Sequence, residues 1–136
     1  MTANYTKYIL NFKHPSGTSR GIMTHKETWL ITLEHGGHNG IGECGILRGL
    51  SIDDVPEFEE MLGWACLNIN LGLEFLLGKL KLFPSIQFGL ETAFKSLQNK
   101  NKFILFPSIF TTGKASIPIN GLIWMGSKDF MKSQIK

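Results

Sequence analysis

Apolar and polar residues alternate in the first third of the chain and recur at helical spacing in the second. Tyr8, Leu10 and Phe12 alternate with polar or smaller residues, the period of a half-buried strand. Pro15-Ser16-Gly17-Thr18-Ser19-Arg20-Gly21 interrupts the pattern, and proline with glycine at this density predicts a loop rather than sheet. A second strand follows, with Trp29, Ile31 and Leu33 on one face and Thr28, Thr32 and Glu34 on the other. His35 to Gly40 reads as a glycine-rich turn, and Ile41-Gly42-Glu43-Cys44 as the returning strand of a three-stranded antiparallel meander.

The second third predicts helices. Ser51 offers an N-cap, Asp53 and Asp54 an acidic first turn, and Pro56 is tolerated there because its missing N–H has no helical partner. Phe58, Met61, Leu62, Ala65 and Ile69 then recur at helical spacing. Gly72 ends that helix, and Leu73 to Leu80 allows a short one before Phe83-Pro84. Ser85 predicts the cap of a third helix, whose stripe of Ile86, Leu90, Ala93, Phe94 and Leu97 is read as core packing.

After Asn99 the pattern is poorly periodic until Ile117 to Trp124, a nearly continuous apolar run. Such runs belong to strands covered on both faces, usually parallel ones. Lys128 to Lys136 starts a helix that buries Phe130, Met131 and Ile135. A strand followed by a helix start opens a βα unit with no partner here, which predicts a truncated protein. Its tail should pack back on the preceding residues, swap between copies, or be disordered.

Composition narrows the function classes. At 136 residues the chain has the length of one domain, able to bury about 68% of its unfolded surface without disulfide or metal. Hydrophobic residues are 43% and charged residues 18%, which excludes a disordered chain. No apolar run reaches the roughly 18 residues of a membrane span and no signal-peptide core follows Met1, so a cytoplasmic protein without a membrane partner is expected. The net charge of +3 is scattered, too thin for nucleic-acid binding. Cys44 and Cys66 show neither a disulfide framework nor ligand spacing and read as packing residues.

Five segments carry a resemblance. Pro15-Ser-Gly-Thr-Ser-Arg-Gly21, Gly40-Ile-Gly-Glu-Cys-Gly45, Gly49-Leu-Ser-Ile-Asp53, Phe83-Pro-Ser-Ile-Gln-Phe-Gly-Leu-Glu-Thr-Ala93 and Ile117-Pro-Ile-Asn-Gly-Leu-Ile-Trp-Met-Gly126 resemble the N-terminal part of the o-succinylbenzoate synthase family. That family lies in the muconate-lactonizing subgroup of the enolase superfamily. The resemblance implies an α+β capping domain over residues 1–115, a three-stranded meander followed by a helical bundle. Residues 116–136 would be the first strand and helix start of a (β/α) barrel. It implies a magnesium-dependent dehydratase (a lyase) of menaquinone synthesis, acting on a small-molecule carboxylate. Its acid/base lysines and magnesium carboxylates would sit on later barrel strands. No catalytic or metal residue is therefore expected here, and this piece alone should bind no metal and be inactive. Alternatives are the cap of an N-succinylamino acid racemase or dipeptide epimerase, or a stand-alone interaction module. The bare C-terminal strand could also support a homo-oligomer.

In the family, the Pro15–Gly21 segment corresponds to a mobile loop that shapes the substrate pocket. Arg20 has the forked geometry to hold a substrate carboxylate, or it stays solvated or pairs with a cap carboxylate. Thr18 and Ser19 either donate to substrate or satisfy the loop backbone. Asn120 either points into the active-site end of the barrel or pairs with backbone. Glu43 is expected to make structural hydrogen bonds rather than act as an acid. His14, His25, His35 and His38 show no ligand spacing on one helix face, and the pair flanking Gly36-Gly37 reads as exposed turn histidines.

Overall fold

Three strands, β1 (Thr2–Thr18), β2 (Gly21–His35) and β3 (His38–Gly45), form an antiparallel sheet in the order β1-β2-β3. Helices α1 (Phe58–Leu67), α2 (Leu73–Lys79) and α3 (Pro84–Leu97) follow, with a 3₁₀ turn at Ile69–Leu71. Helix α4 (Lys128–Ser133) comes after an irregular stretch. The computed structural model describes residues 1–18, 21–99 and 101–135; Ser19 and Arg20, where two of the substrate-contact expectations fall, lie outside the described residues.

The expected α+β meander and helices are present. β2 supplies Trp29, Ile31 and Leu33 to the core, all buried, and α3 meets them with Ile86, Leu90 and Ala93. Leu62 and Ala65 of α1 and Leu76 of α2 complete the layer. Each of the buried leucines and isoleucines contributes about 1.5–3 kcal/mol by leaving water. Cys44 and Cys66 are both buried free thiols, as packing residues should be. Burial pushes their pKa values up to about 12 and about 11.

The β1 pattern is corrected. Its core-facing residues are Ala3 and Tyr5, whose register partners are Leu33 and Ile31. Tyr8 and Leu10 fall on the opposite face and stay 55% and 39% exposed. Two-residue periodicity marks a strand without saying which face finds a helix.

Nor is Pro15–Gly21 one long loop. β1 runs through Pro15 to Thr18, and Ser16, Gly17 and Thr18 pair with Met23, Ile22 and Gly21. The register shifts between Asn11 and Ser16, and Pro15 sits in that irregularity. β1 is also an edge strand. A proline there costs no ladder hydrogen bond, so sheet continues past it. At the other end β3 starts at His38, earlier than expected, because Gly36 and Gly37 (φ 59° and 78°) make a two-residue turn of the mirror-image type that hairpins favour.

Two capping expectations fail. Ser51 does not start a helix: α1 begins at Phe58, and the Ser51 hydroxyl instead accepts from the Leu47 N–H at 2.9 Å. Ser85 does not cap α3, whose N-cap is Phe83 with Pro84 following. Asp53, 1% exposed, takes the Ser85 N–H at 2.7 Å and the Ser85 hydroxyl at 3.1 Å. A carboxylate at a helix N-terminus is favoured by the unpaired amides and the helix dipole.

Ile117 to Trp124 is not a strand either. The segment is irregular and open, with Ile119 89% and Leu122 81% exposed. No strand among the described residues pairs with it. The side-chain amide of Gln134 instead accepts from the Trp124 N–H at 2.8 Å and donates to the Trp124 carbonyl at 3.0 Å. α4 forms, capped by Ser127, but the expected burial fails: Phe130 is half-buried, and Met131 and Ile135 are 37% and 63% exposed. The tail packs back on β1: Trp124 Nε1 donates to the Pro15 carbonyl at 2.8 Å, and its ring meets Phe12 edge-on at 6.2 Å.

Candidate functional site

From Tyr8 to Thr18 and from Gly21 to Glu27, no described residue of the β1–β2 hairpin is fully buried. This far half faces the segment that follows β3, and between them lies a pocket of about 450 Å³. Thr18 and residues 21–27 make one wall; Ile46, Arg48, Gly49 and Leu50 make the other.

The loop wall is held by side chains bonding its backbone. Asp54 Oδ2 accepts the Gly49 N–H at 2.6 Å, and Leu50 and Ser51 donate to the Leu47 carbonyl at 3.0 and 2.9 Å. Arg48 Nη1 reaches Asp54 Oδ1 at 2.6 Å, and its Nε donates to Glu27 Oε2 of β2 at 2.6 Å. Lys7 of β1 pairs with the other Glu27 oxygen at 2.7 Å. The result is an alternating row, Lys7, Glu27, Arg48, Asp54, across both strands and the loop.

The protonation states follow. The Gly49 amide first, then Arg48, holds the Asp54 carboxyl below its ordinary range. Lys7, with Arg48, does the same for Glu27. Asp54, with Glu27, raises the Arg48 pKa further. These carboxylates stay ionised near neutrality and are spent on pairing, which suits them to shape a wall rather than to move protons.

Thr18 lines the pocket, and its hydroxyl donates to the Gly21 carbonyl at 2.9 Å, closing the end of the hairpin. Asn120 is exposed in the irregular C-terminal segment and is not among the pocket's lining residues. Arg48 went unmarked in the sequence, and Asp54 was read only as part of an acidic first turn, although α1 begins at Phe58. A lone arginine between glycines and an acidic dipeptide gives no periodic signal, and only the tertiary fold brings Glu27 to meet them.

Glu43 makes structural bonds, as expected. Thr28 donates to its Oε1 at 2.8 Å and Lys26 at 3.3 Å. The Thr28 bond first, with Lys26, keeps its carboxyl below the usual range. His35 and His38 oppose each other across the Gly36-Gly37 turn. Among the described residues no group of three or more His, Cys, Asp or Glu could hold a metal ion. Asp54, Glu27 and Glu43 are already committed to cationic and N–H or O–H donors, so the residues here do not fit a magnesium site. Among the described residues, too, no helix is long and apolar enough to cross a membrane.

Comparison with known proteins gives this site its context. No family model matches the chain. The o-succinylbenzoate synthase of Desulfotalea psychrophila is 32% identical over the whole of this chain, which spans 45% of that protein. The crystal structure of MenC from the same organism superposes with a TM-score of 0.64 at 29% identity, covering 99% of this chain and 45% of that one. O-succinylbenzoate synthase from Thermosynechococcus elongatus, complexed with Mg in its active site, gives 0.59 at 20% identity over 74% of this chain and 31% of its own. An enolase family member from Agrobacterium tumefaciens with homology to dipeptide epimerases gives 0.64 at 18% identity, over 97% of this chain and 41% of its own. The chain thus spans less than half the length of the proteins it matches. It has the fold of the enolase-superfamily N-terminal capping domain and is related over its whole length to the N-terminal part of o-succinylbenzoate synthase.

Proposed function

We propose that this chain is the capping part of an o-succinylbenzoate synthase-like enzyme, a lyase that dehydrates a cyclohexadiene carboxylate in menaquinone synthesis. Whole-length relatedness to a protein of that name carries the reading. The pocket between the far hairpin and residues 46–50 supports it, because it is a concave wall framed by one strand pair and one well-anchored loop. Residues 1–115 would form the cap, and residues 116–136 would lead into the catalytic barrel.

In this reading the chain binds and encloses, and the chemistry belongs to the longer protein. Magnesium, held by the remainder of that protein, would stabilise the enediolate left when a proton is removed beside a carboxylate. Thr18, Ser19 and Arg20 are the proposed substrate contacts. Arg20 pairs bidentately with a substrate carboxylate, which an exposed lysine could not do as well. Asn120 serves the same substrate once its segment joins a barrel.

The test joins residues 1–136 to the remaining part of the Desulfotalea psychrophila synthase and assays dehydration with and without magnesium. Magnesium-dependent turnover that falls at least tenfold in kcat/KM on Arg20→Ala supports the proposal. A folded chimera that is inactive overturns it. Turnover indifferent to Arg20→Ala removes the arginine from the substrate site. Racemisation of N-succinylamino acids or epimerisation of dipeptides in place of dehydration would favour the sister activities that share this cap.

A further inference from the structure

Arg48 lies where three parts of the fold meet. Its Nε and Nη2 both approach Glu27 Oε2 of β2, its Nη1 bonds Asp54 Oδ1, and its guanidinium carbon stands 5.8 Å from the Trp29 ring centre. Asp54 returns to the loop by taking the Gly49 N–H at 2.6 Å. Next to it, buried Asp53 fastens the same segment to the start of α3 through Ser85. The loop is thus anchored at one end to the helical layer. At the other it reaches β2 through Arg48.

We infer that Arg48 is a positioning residue: by bridging Glu27 and Asp54 it holds the far half of β2 at a set distance from the 46–50 loop and so fixes the width of the pocket. The inference rests on reading that pocket as the cap's working surface, and it adds a regulation of its geometry. Arginine suits the role because a planar fork can serve two carboxylates in different directions, whereas an ammonium acts as one point charge. The Glu27 and Asp54 side chains are only 15% and 17% exposed while that of Arg48 is 52% exposed, so the bridge is shielded on its carboxylate side and open to water and salt on the other. The other charged or titratable groups around it are Lys7 on β1, His25 and Lys26 on β2, and Glu59 on α1. Lys7 reinforces the bridge through Glu27, at 2.7 Å. Lys26 is turned toward Glu43.

The test is residue-resolved amide exchange on the 136-residue chain, comparing wild type with Arg48→Met, Arg48→Lys and Asp54→Asn. A clamp predicts that Arg48→Met speeds exchange at residues 23–26 and 47–50 by tenfold or more, while Leu90 and Ala93 in α3 keep their rates. Arg48→Lys should fall between, and Asp54→Asn should repeat the loop effect without extra loss when combined with Arg48→Met. Protection of the same amides in the wild type should drop in acid, as pH falls through the lowered carboxyl range of Asp54 and Glu27, and should be insensitive to that step in Arg48→Met. Unchanged local rates, or an equal rise at every amide, would overturn the inference. The measurement needs no substrate, so a clamp that passes it beside an inactive chimera would leave Arg48 standing and the enzymatic reading refuted.

Discussion

A side-chain carbon built on Gly42 would stand 1.8 Å from the carbonyl oxygen of Gly89. β3 and α3 therefore touch backbone to backbone. The contact extends in both directions: a carbon on Gly40 would meet the Ala93 carbonyl oxygen at 2.2 Å, and one on Gly89 would meet the Cys44 sulfur at 2.2 Å. Between them, Ser96 Oγ accepts the Ile41 N–H at 3.0 Å and donates to the Lys102 carbonyl at 2.7 Å. The two glycine motifs that resembled the synthase family are thus halves of one joint.

Gly42→Ala should cost at least about 3 kcal/mol, because the atoms it strikes are backbone and cannot rotate away. Gly63→Ala is the contrasting case. Its new carbon would lie 3.7 Å from the Tyr5 ring, an ordinary contact, inside α1. Helix propensity then predicts a gain of about 0.5–1 kcal/mol. Urea unfolding of the two variants decides, and a neutral Gly42→Ala would contradict the joint.

Neither cysteine should react in the folded protein. Burial pushes the Cys44 and Cys66 thiols up to about 12 and about 11, so the thiolate is scarce at pH 8 and the sulfur is covered. A disulfide reagent should titrate essentially no thiol in buffer and both after denaturation. Rapid native labelling of Cys44 would mean that the α3–β3 joint opens.

Acid should weaken the fold through Glu43, Glu27 and Asp54, whose folded carboxyls all titrate lower than their ordinary values. The sign is that of depressed acids: their stabilisation is complete above the unfolded pKa, about 4, and is lost as pH falls through the lower folded value. Glu43→Gln should flatten part of that acid limb while lowering neutral-pH stability by about 1 kcal/mol or less, since Glu43 is partly exposed and its ion pair is at the surface. An acid limb unchanged in the variant would show that Thr28 and Lys26 do not hold that carboxylate.

Gln134→Ala should release the C-terminal segment. It removes both side-chain bonds to the Trp124 backbone, each worth about 1 kcal/mol, so exchange at the Trp124 amide should rise by roughly tenfold or more. Core amides such as that of Leu90 should not follow. Equal exchange in variant and wild type would mean that Trp124 is held instead by its bond to Pro15 and its ring contact with Phe12.

The α3 stripe and the β2 face were legible from periodicity, since Ile86, Leu90, Ala93, Trp29, Ile31 and Leu33 repeat at the spacing that places them on one side, and all are buried. The clamp was not. Glu27 lies far along the chain from Arg48 and Asp54, and nothing in their spacing distinguishes a bridge from three solvated side chains. Ser51 and Ser85 misled for a related reason: a cap signal is local, and Asp53, distant in sequence, took the Ser85 donors at 2.7 and 3.1 Å.

By itself the sequence determined the class of the fold and its kinship, because local period and glycine placement are written along the chain. Only the tertiary structure decided which face of β1 is covered, how far the hairpin runs past Pro15, and that an arginine joins two walls of a pocket. Those outcomes depend on contacts between residues far apart in the chain, such as Arg48 with Glu27 or Trp124 with Pro15. A one-dimensional pattern records how a segment wants to fold locally, and it leaves open what that segment will meet.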